Sequence, residues 1–164
     1  MRFVFDLDSV IRNLHEKVLG FIPPIWDYTS SDGKNMWQLI EDNFDSLINS
    51  NPTEYYSVIH RYSKLFPITI WTAQPVTWRN STEKWIRNHF NSEEIQDIQW
   101  LTPEEKYSTI SKMSECILVE DYPNFPKYDK IALISFPYNL HISSCYAHIR
   151  NPKDLEALLF NTLE

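Results

Sequence analysis

The apolar positions of this chain fall into two rhythms. Short, nearly continuous apolar runs occur at Arg2–Asp6, Ile68–Trp71, Ile98–Leu101, Cys116–Glu120 and Lys130–Ser135. Runs of that length and β-branched content predict strands buried on both faces, as in parallel sheets. Between them the apolar residues recur at helical spacing. Asn51-Pro52-Thr53-Glu54 reads as a helix start, with Tyr55, Ile59, Tyr62 and Leu65 on one face. A second helix follows Pro75 and carries Trp78, Trp85, Ile86 and Phe90. Thr102-Pro103-Glu104-Glu105 has the T-x-x-E form of a capping box, and Asn151-Pro152 opens a last helix faced by Leu155, Leu158, Leu159 and Leu163.

Strands alternating with helices predict a three-layer α/β/α domain, Rossmann-like, around a mainly parallel sheet with right-handed crossovers. One interval breaks the rhythm. The chain between Asp6 and Ile68 is about twice the length that a βαβ unit needs, about thirty residues. Residues 12–50 are therefore expected to form a small helical insertion, and residues 1–11 with 51–164 the core domain. The insertion has its own amphipathic stretch, Trp37, Ile40, Phe44, Leu47 and Ile48, and an aromatic turn region from Phe21 to Tyr28. Trp37 and Phe44 are read as the small core that holds it folded.

Composition narrows the functions. The 164 residues are 43% hydrophobic and 15% aromatic, which argues for a packed domain rather than disorder. Only two glycines are present, Gly20 and Gly33, so neither a Walker P-loop nor a GxGxxG fingerprint can be built. A net charge of −7 disfavours long nucleic acid as a partner, although a local positive pocket would still accept a small phosphorylated substrate. Cys116 and Cys145 make no disulfide framework, and no run reaches membrane length. These features predict a soluble cytoplasmic protein with no membrane partner. Oligomeric state is open, a homodimer being compatible.

The polar residues inside this apolar frame gather at predicted strand ends. Asp6 and Asp8 close the first strand, Thr72 the second, and Glu120 and Asp121 the fourth, while Lys106 lies in the first turn of the helix after the third. In a parallel sheet these groups converge on the carboxyl edge, where ligands bind. Clustered carboxylates repel one another, and a hard divalent cation such as Mg²⁺ relieves that. A lysine and a threonine hydroxyl beside them can hold phosphate oxygens. The set reads as a phosphoryl-transfer site, in which a carboxylate can act as nucleophile. Taken singly, each residue has a plainer role: an acidic pair caps helices, Thr72 ends a strand, Lys106 is a solvated neighbour of Glu104 and Glu105, and Glu120-Asp121 leads into a turn. Their joint placement favours chemistry.

The order D-x-D, Thr, Lys and E-D resembles the haloacid dehalogenase-like phosphohydrolases, and the insertion is similar in position to that superfamily's cap. Thr72, Pro75, Glu83-Lys84, Trp85 and His89-Phe90, then "ILVEDYPNF" and "LISFPYN", resemble the 5′(3′)-deoxyribonucleotidase family, over a span from Phe3 to about Leu159. The resemblance implies Asp6 as nucleophile and metal ligand. It implies Asp8 as general acid–base, its backbone carbonyl also binding the metal. Thr72, the Ala73 backbone N–H and Lys106 would hold phosphate, Asp121 would complete a Mg²⁺ shell, and Glu120 would orient Lys106 or a metal-bound water. The family often has glycine after the second acid, and Ser9 stands there, which leaves the turn geometry open.

The expected reaction is hydrolysis of a small phosphomonoester, foremost a (deoxy)nucleoside monophosphate, through an aspartyl-phosphate. A polynucleotide 3′-phosphatase or sugar-phosphate phosphatase would use the same fold, and a nucleotide- or phosphate-binding module without catalysis is the rival of another class. Trp26 and Tyr28 could stack on a base or simply pack the insertion. The five histidines show no paired spacing and are read as structural or exposed, and Pro137-Tyr138-Asn139 as a turn.

Overall fold

The computed structural model describes residues 1–161; Leu163, expected on the last helix face, lies outside the described residues. Six strands form one all-parallel sheet in the order β3-β2-β1-β4-β5-β6. They are β1 Arg2–Asp6, β2 Ile68–Thr72, β3 Ile95–Trp100, β4 Cys116–Glu120, β5 Ile131–Ile134 and β6 Ala147–Ile149. Seven α-helices are present among the described residues: α1 Leu14–Leu19, α2 Met36–Asp42, α3 Ser46–Asn49, α4 Tyr56–Ser63, α5 Arg79–His89, α6 Pro103–Lys112 and α7 Pro152–Asn161. None is long and apolar enough to cross a membrane.

The three layers follow from side-chain alternation. Phe3, Phe5, Ile68, Ile70, Ile117 and Val119 point to one face, under α4, α5 and α7. Val4, Trp71, Cys116 and Leu118 point to the other, under Ile110 of α6 and the Phe125–Tyr128 loop. The strand order reverses direction between β1 and β4, so a crevice opens at their carboxyl ends.

The sequence missed β6. It is only three residues long at the sheet edge, and its burial is incomplete, so it makes no apolar run. The helix start expected at Asn51 does not form there. The Asn51 carbonyl accepts the Asn13 N–H and the Thr53 N–H donates to the Ile11 carbonyl, both at 2.9 Å. The segment is thus tied to the turn after β1. Helix α4 starts later, with Thr53 Oγ1 accepting the Tyr55 N–H at 3.2 Å, and Leu65 is exposed beyond its end. Tertiary bridging overrode a local cap. The box at Thr102, in contrast, forms as expected, with its side chain accepting the Glu105 N–H at 3.2 Å.

The insertion's amphipathic stretch is two helices rather than one. Asn43 ends α2, its side chain donating to the Leu39 carbonyl at 2.8 Å in competition with the helical ladder. Ile40 and Leu47 are buried with Leu14 and Trp78, but Trp37 and Phe44 are exposed, so they do not form the insertion's core. A further helix, α1, ends on Gly20 at φ 80°, a left-handed cap that glycine adopts without strain. Trp78 Nε1 donates to Glu41 at 2.5 Å and Trp85 Nε1 to the Ser50 carbonyl at 2.7 Å, which pins the insertion on α5.

Candidate active site

The apolar run of β1 carries Asp6 to the crevice, and β4, paired with it in register from Arg2↔Cys116 to Phe5↔Val119, delivers Glu120 and Asp121 alongside. Thr72 is the last residue of β2, and α6 projects Lys106 back over the strand ends. A cavity of about 290 Å³ collects Asp6, Asp8, Thr72, Ala73, Lys106, Glu120 and Asp121. Every expected phosphate- or metal-binding residue therefore lines one cavity. Trp26 lines it too. Tyr28 does not; it lines an adjoining cavity of about 320 Å³ that shares His15, Trp26, Met36 and Trp37.

Lys106 is buried, not solvated. Its Nζ donates to Asp6 Oδ1 at 2.6 Å and to Glu120 Oε2 at 2.8 Å. Glu120 Oε1 also accepts the Asp121 N–H at 3.0 Å. Burial opposes the charge of both Glu120 and Lys106. Their mutual attraction nonetheless holds the glutamate below its ordinary range, and Asp6 and Glu120 together hold the ammonium above its own. Asp6 and Asp121 go the other way. Burial, then repulsion from Glu120, push both carboxyls well above the ordinary range, and Lys106 does not offset this for Asp6.

Asp6, Glu120 and Asp121 each offer an oxygen within 4.8 Å of the others. Lys106 pairs with Asp6 and Glu120 and leaves Asp121 without a cation, so the three buried acids outnumber the one ammonium among them. Such an oxygen-only, under-compensated set fits a hard divalent cation. The carboxylate of Asp8 stays out of this trio. Both its oxygens bond to Arg12, at 2.6 and 3.0 Å, and Oδ2 also accepts from Gln74 Nε2 at 3.0 Å. The same Gln74 nitrogen donates to Thr72 Oγ1 at 3.0 Å.

Several residues at the site were not singled out from sequence. Arg12 had one signal, a base four residues after Asp8 inside an apolar turn. Gln74 had only its place two residues past a strand end. Pro137–Asn139 is a tight 3-10 turn, as expected, but it also reaches the site. The Tyr138 hydroxyl donates to Asp121 Oδ2, and Asn139 Nδ2 donates to the Asp121 carbonyl at 2.9 Å. Burial and the adjacent Asp121 push the Tyr138 hydroxyl far up. His15 lines the cavity rather than lying apart, and burial lowers it from its ordinary value. Ser9 adopts φ 71°, the left-handed conformation that favours glycine, so the turn after Asp8 keeps a glycine-like path with a serine in it. Trp37 tilts over Trp78, ring centroids 5.0 Å apart, on the cavity wall, while Trp26 meets Tyr122 and Tyr138 edge-on at 5.3 and 5.2 Å.

No protein-family model matches the chain, and no curated protein matches it significantly.

Proposed function

We propose that this chain is a Mg²⁺-dependent phosphomonoesterase of the haloacid dehalogenase-like kind, resembling the 5′(3′)-deoxyribonucleotidases and acting on a small phosphomonoester, foremost a nucleoside monophosphate. The observation that carries the reading is the convergence of Asp6, Lys106, Glu120 and Asp121 with Thr72 at the point where the strand order reverses. A metal held by Asp6, Asp121 and the Asp8 backbone carbonyl would offset charge on the transferring phosphoryl group. Asp6 attacks phosphorus and the substrate's ester oxygen leaves, taking a proton from Asp8. Water then attacks the aspartyl-phosphate, its proton passing to Asp8, and phosphate and free Asp6 result. Lys106 and Thr72 hold phosphoryl oxygens through both displacements.

Two features favour a nucleoside monophosphate. Lys106 is the only lysine or arginine among the described residues lining the cavity, so a single phosphoryl group is matched and a polyphosphate is not. Trp26 and Trp37 offer aromatic faces on which a base can stack, worth about 1–3 kcal/mol per base. Phosphate release from nucleoside 5′- and 3′-monophosphates, sugar phosphates and 3′-phosphorylated oligonucleotides tests the reading. Nucleoside monophosphates should release phosphate with Mg²⁺, and both EDTA and Asp6→Asn should abolish it. Full activity in Asp6→Asn would overturn the covalent mechanism, and tight binding without release at saturating Mg²⁺ would make the chain a binding module.

A further inference from the structure

Arg12 is the most fully buried base in the molecule's catalytic region, with no exposed surface. Its guanidinium makes four hydrogen bonds. Nε reaches Asp8 Oδ1 at 2.6 Å and Nη2 reaches Asp8 Oδ2 at 3.0 Å, while Nη1 reaches the Leu47 carbonyl at 2.9 Å and Thr82 Oγ1 at 3.1 Å. It also lies over the Trp85 ring at 5.9 Å. Arg12 thus joins three parts of the fold at Asp8: the turn after β1, helix α3 of the insertion, and helix α5 of the core. Gln74 adds a second hold, since its Nε2 binds Asp8 Oδ2 while its Oε1 accepts from Thr82 Oγ1 at 2.6 Å.

A carboxylate has about four acceptor positions, two on each oxygen. Among the described residues, Asp8 Oδ2 has two donors, Arg12 and Gln74, and Oδ1 has one, Arg12. The position left open is on Oδ1. We propose that Arg12, seconded by Gln74, is a positioning residue that fixes the Asp8 carboxylate so that Oδ1 exchanges the proton of the reaction, and that it ties this orientation to the seating of α3. This rests on the phosphomonoesterase reading above. A lysine cannot reproduce it, because a point charge lacks the two-oxygen fork.

The test compares native protein with Arg12→Lys, Gln74→Leu, Asp8→Asn and the Arg12→Lys/Asp8→Asn double variant, using a nucleoside monophosphate and p-nitrophenyl phosphate with Mg²⁺. The aryl ester's leaving group departs without a proton, so transfer to Asp6 proceeds while hydrolysis of the aspartyl-phosphate still needs Asp8. Arg12→Lys should give a burst of one p-nitrophenolate per site, followed by turnover slowed about 10²-fold. On the nucleotide it should slow turnover without a burst, with KM changed by less than about threefold. Gln74→Leu, at a half-buried position, should do the same more weakly, and it decides the matter should Arg12→Lys not fold. The double variant should be no slower than Asp8→Asn alone, because both changes remove one function. Additive losses, or a raised KM with unchanged kcat, would overturn the positioning role and leave an ordinary structural one. Native turnover that Asp6→Asn abolishes but Arg12→Lys and Gln74→Leu leave intact overturns this inference alone. Absence of any phosphate release by the native chain overturns it together with the reading it rests on.

Discussion

Replacing Asp121 by Asn should stabilise the metal-free protein while destroying its response to Mg²⁺. Asp121 is buried, takes no ion pair among the described residues, and shares its place with Asp6 and Glu120. At an effective dielectric of about 20, two carboxylates with oxygens within 4.8 Å of each other repel by about 3.5 kcal/mol or more. The acid escapes part of this by keeping a proton, so about 1–3 kcal/mol of cost survives near neutral pH. Asparagine retains an oxygen that can accept the Tyr138 hydroxyl, and removes the charge. In EDTA, Asp121→Asn should therefore melt about 2–12 °C above the native protein, at about 2–4 °C per kcal/mol for a domain of this size. The sign with pH follows from the raised carboxyl of Asp121. The folded state binds a proton more tightly than the unfolded chain does, so the cost is absent below the unfolded value of about 3.9 and grows as pH rises toward the folded value. The gap between variant and native protein should widen from acidic to neutral pH. Added Mg²⁺ should raise the native melting temperature, by about 2.7 kcal/mol equivalent at a hundred times its dissociation constant, and leave the variant unmoved. Differential scanning calorimetry reads both. A variant that melts below the native protein in EDTA, or one that Mg²⁺ stabilises equally, would refute the charge argument.

Lys106→Met should have the opposite sign, since it leaves Asp6 and Glu120 buried without their shared cation. A loss of about 3–5 kcal/mol in EDTA is expected by chemical denaturation, and an unchanged midpoint would count against the ion pairs. Ser9→Gly should be more stable than Ser9→Ala by about 1 kcal/mol, because φ 71° strains any residue with a Cβ; the reverse order in urea unfolding would show that the turn is not strained. Trp37→Ala should cost little stability, as the ring is half exposed, but should raise KM for a nucleoside monophosphate about 5- to 150-fold with kcat unchanged if the base stacks there. Equal KM values would remove Trp37 from the substrate's path.

The frame of the fold was legible because burial leaves a one-dimensional trace. Strands covered on both faces must be apolar throughout, so β1 and β4 could be bounded to the residue, and the acids that follow them stood out against the run. What escaped was whatever depends on pairing across the fold. The Asn51–Glu54 signal was sound locally, yet Asn13 and Ile11 used the same backbone groups to close the turn after β1. Asn43 split a helix whose apolar spacing continued without a break. At the site, Asp6, Thr72, Lys106, Glu120 and Asp121 could be placed together because a parallel sheet carries all its strand ends to one edge. Gln74 and Tyr138 could not, because nothing in linear spacing says which acid a buried donor will meet, and Arg12 left only its place four residues after Asp8.

The two acids of the first strand end illustrate how placement divides their chemistry. Asp6 and Asp8 are separated by one residue, Leu7, yet their side chains meet different surroundings. Asp6 shares one ammonium with Glu120 while Asp121 beside them has none, an arrangement that leaves charge uncompensated and so leaves a reason for a cation to bind. Asp8 has a guanidinium and an amide to itself, so it has no call on a metal through its carboxylate. Had Arg12 been absent, four carboxylates would crowd one crevice and a second cation would be the natural remedy. Arg12 supplies a fixed positive charge in its place, and under the proposed reading that limits the demand to one ion and leaves Asp8 for proton transfer. The different surroundings of the two acids are therefore set less by the D-x-D spacing than by which cation each meets once the chain has turned, and the proposed division between nucleophile and proton carrier rests on that difference.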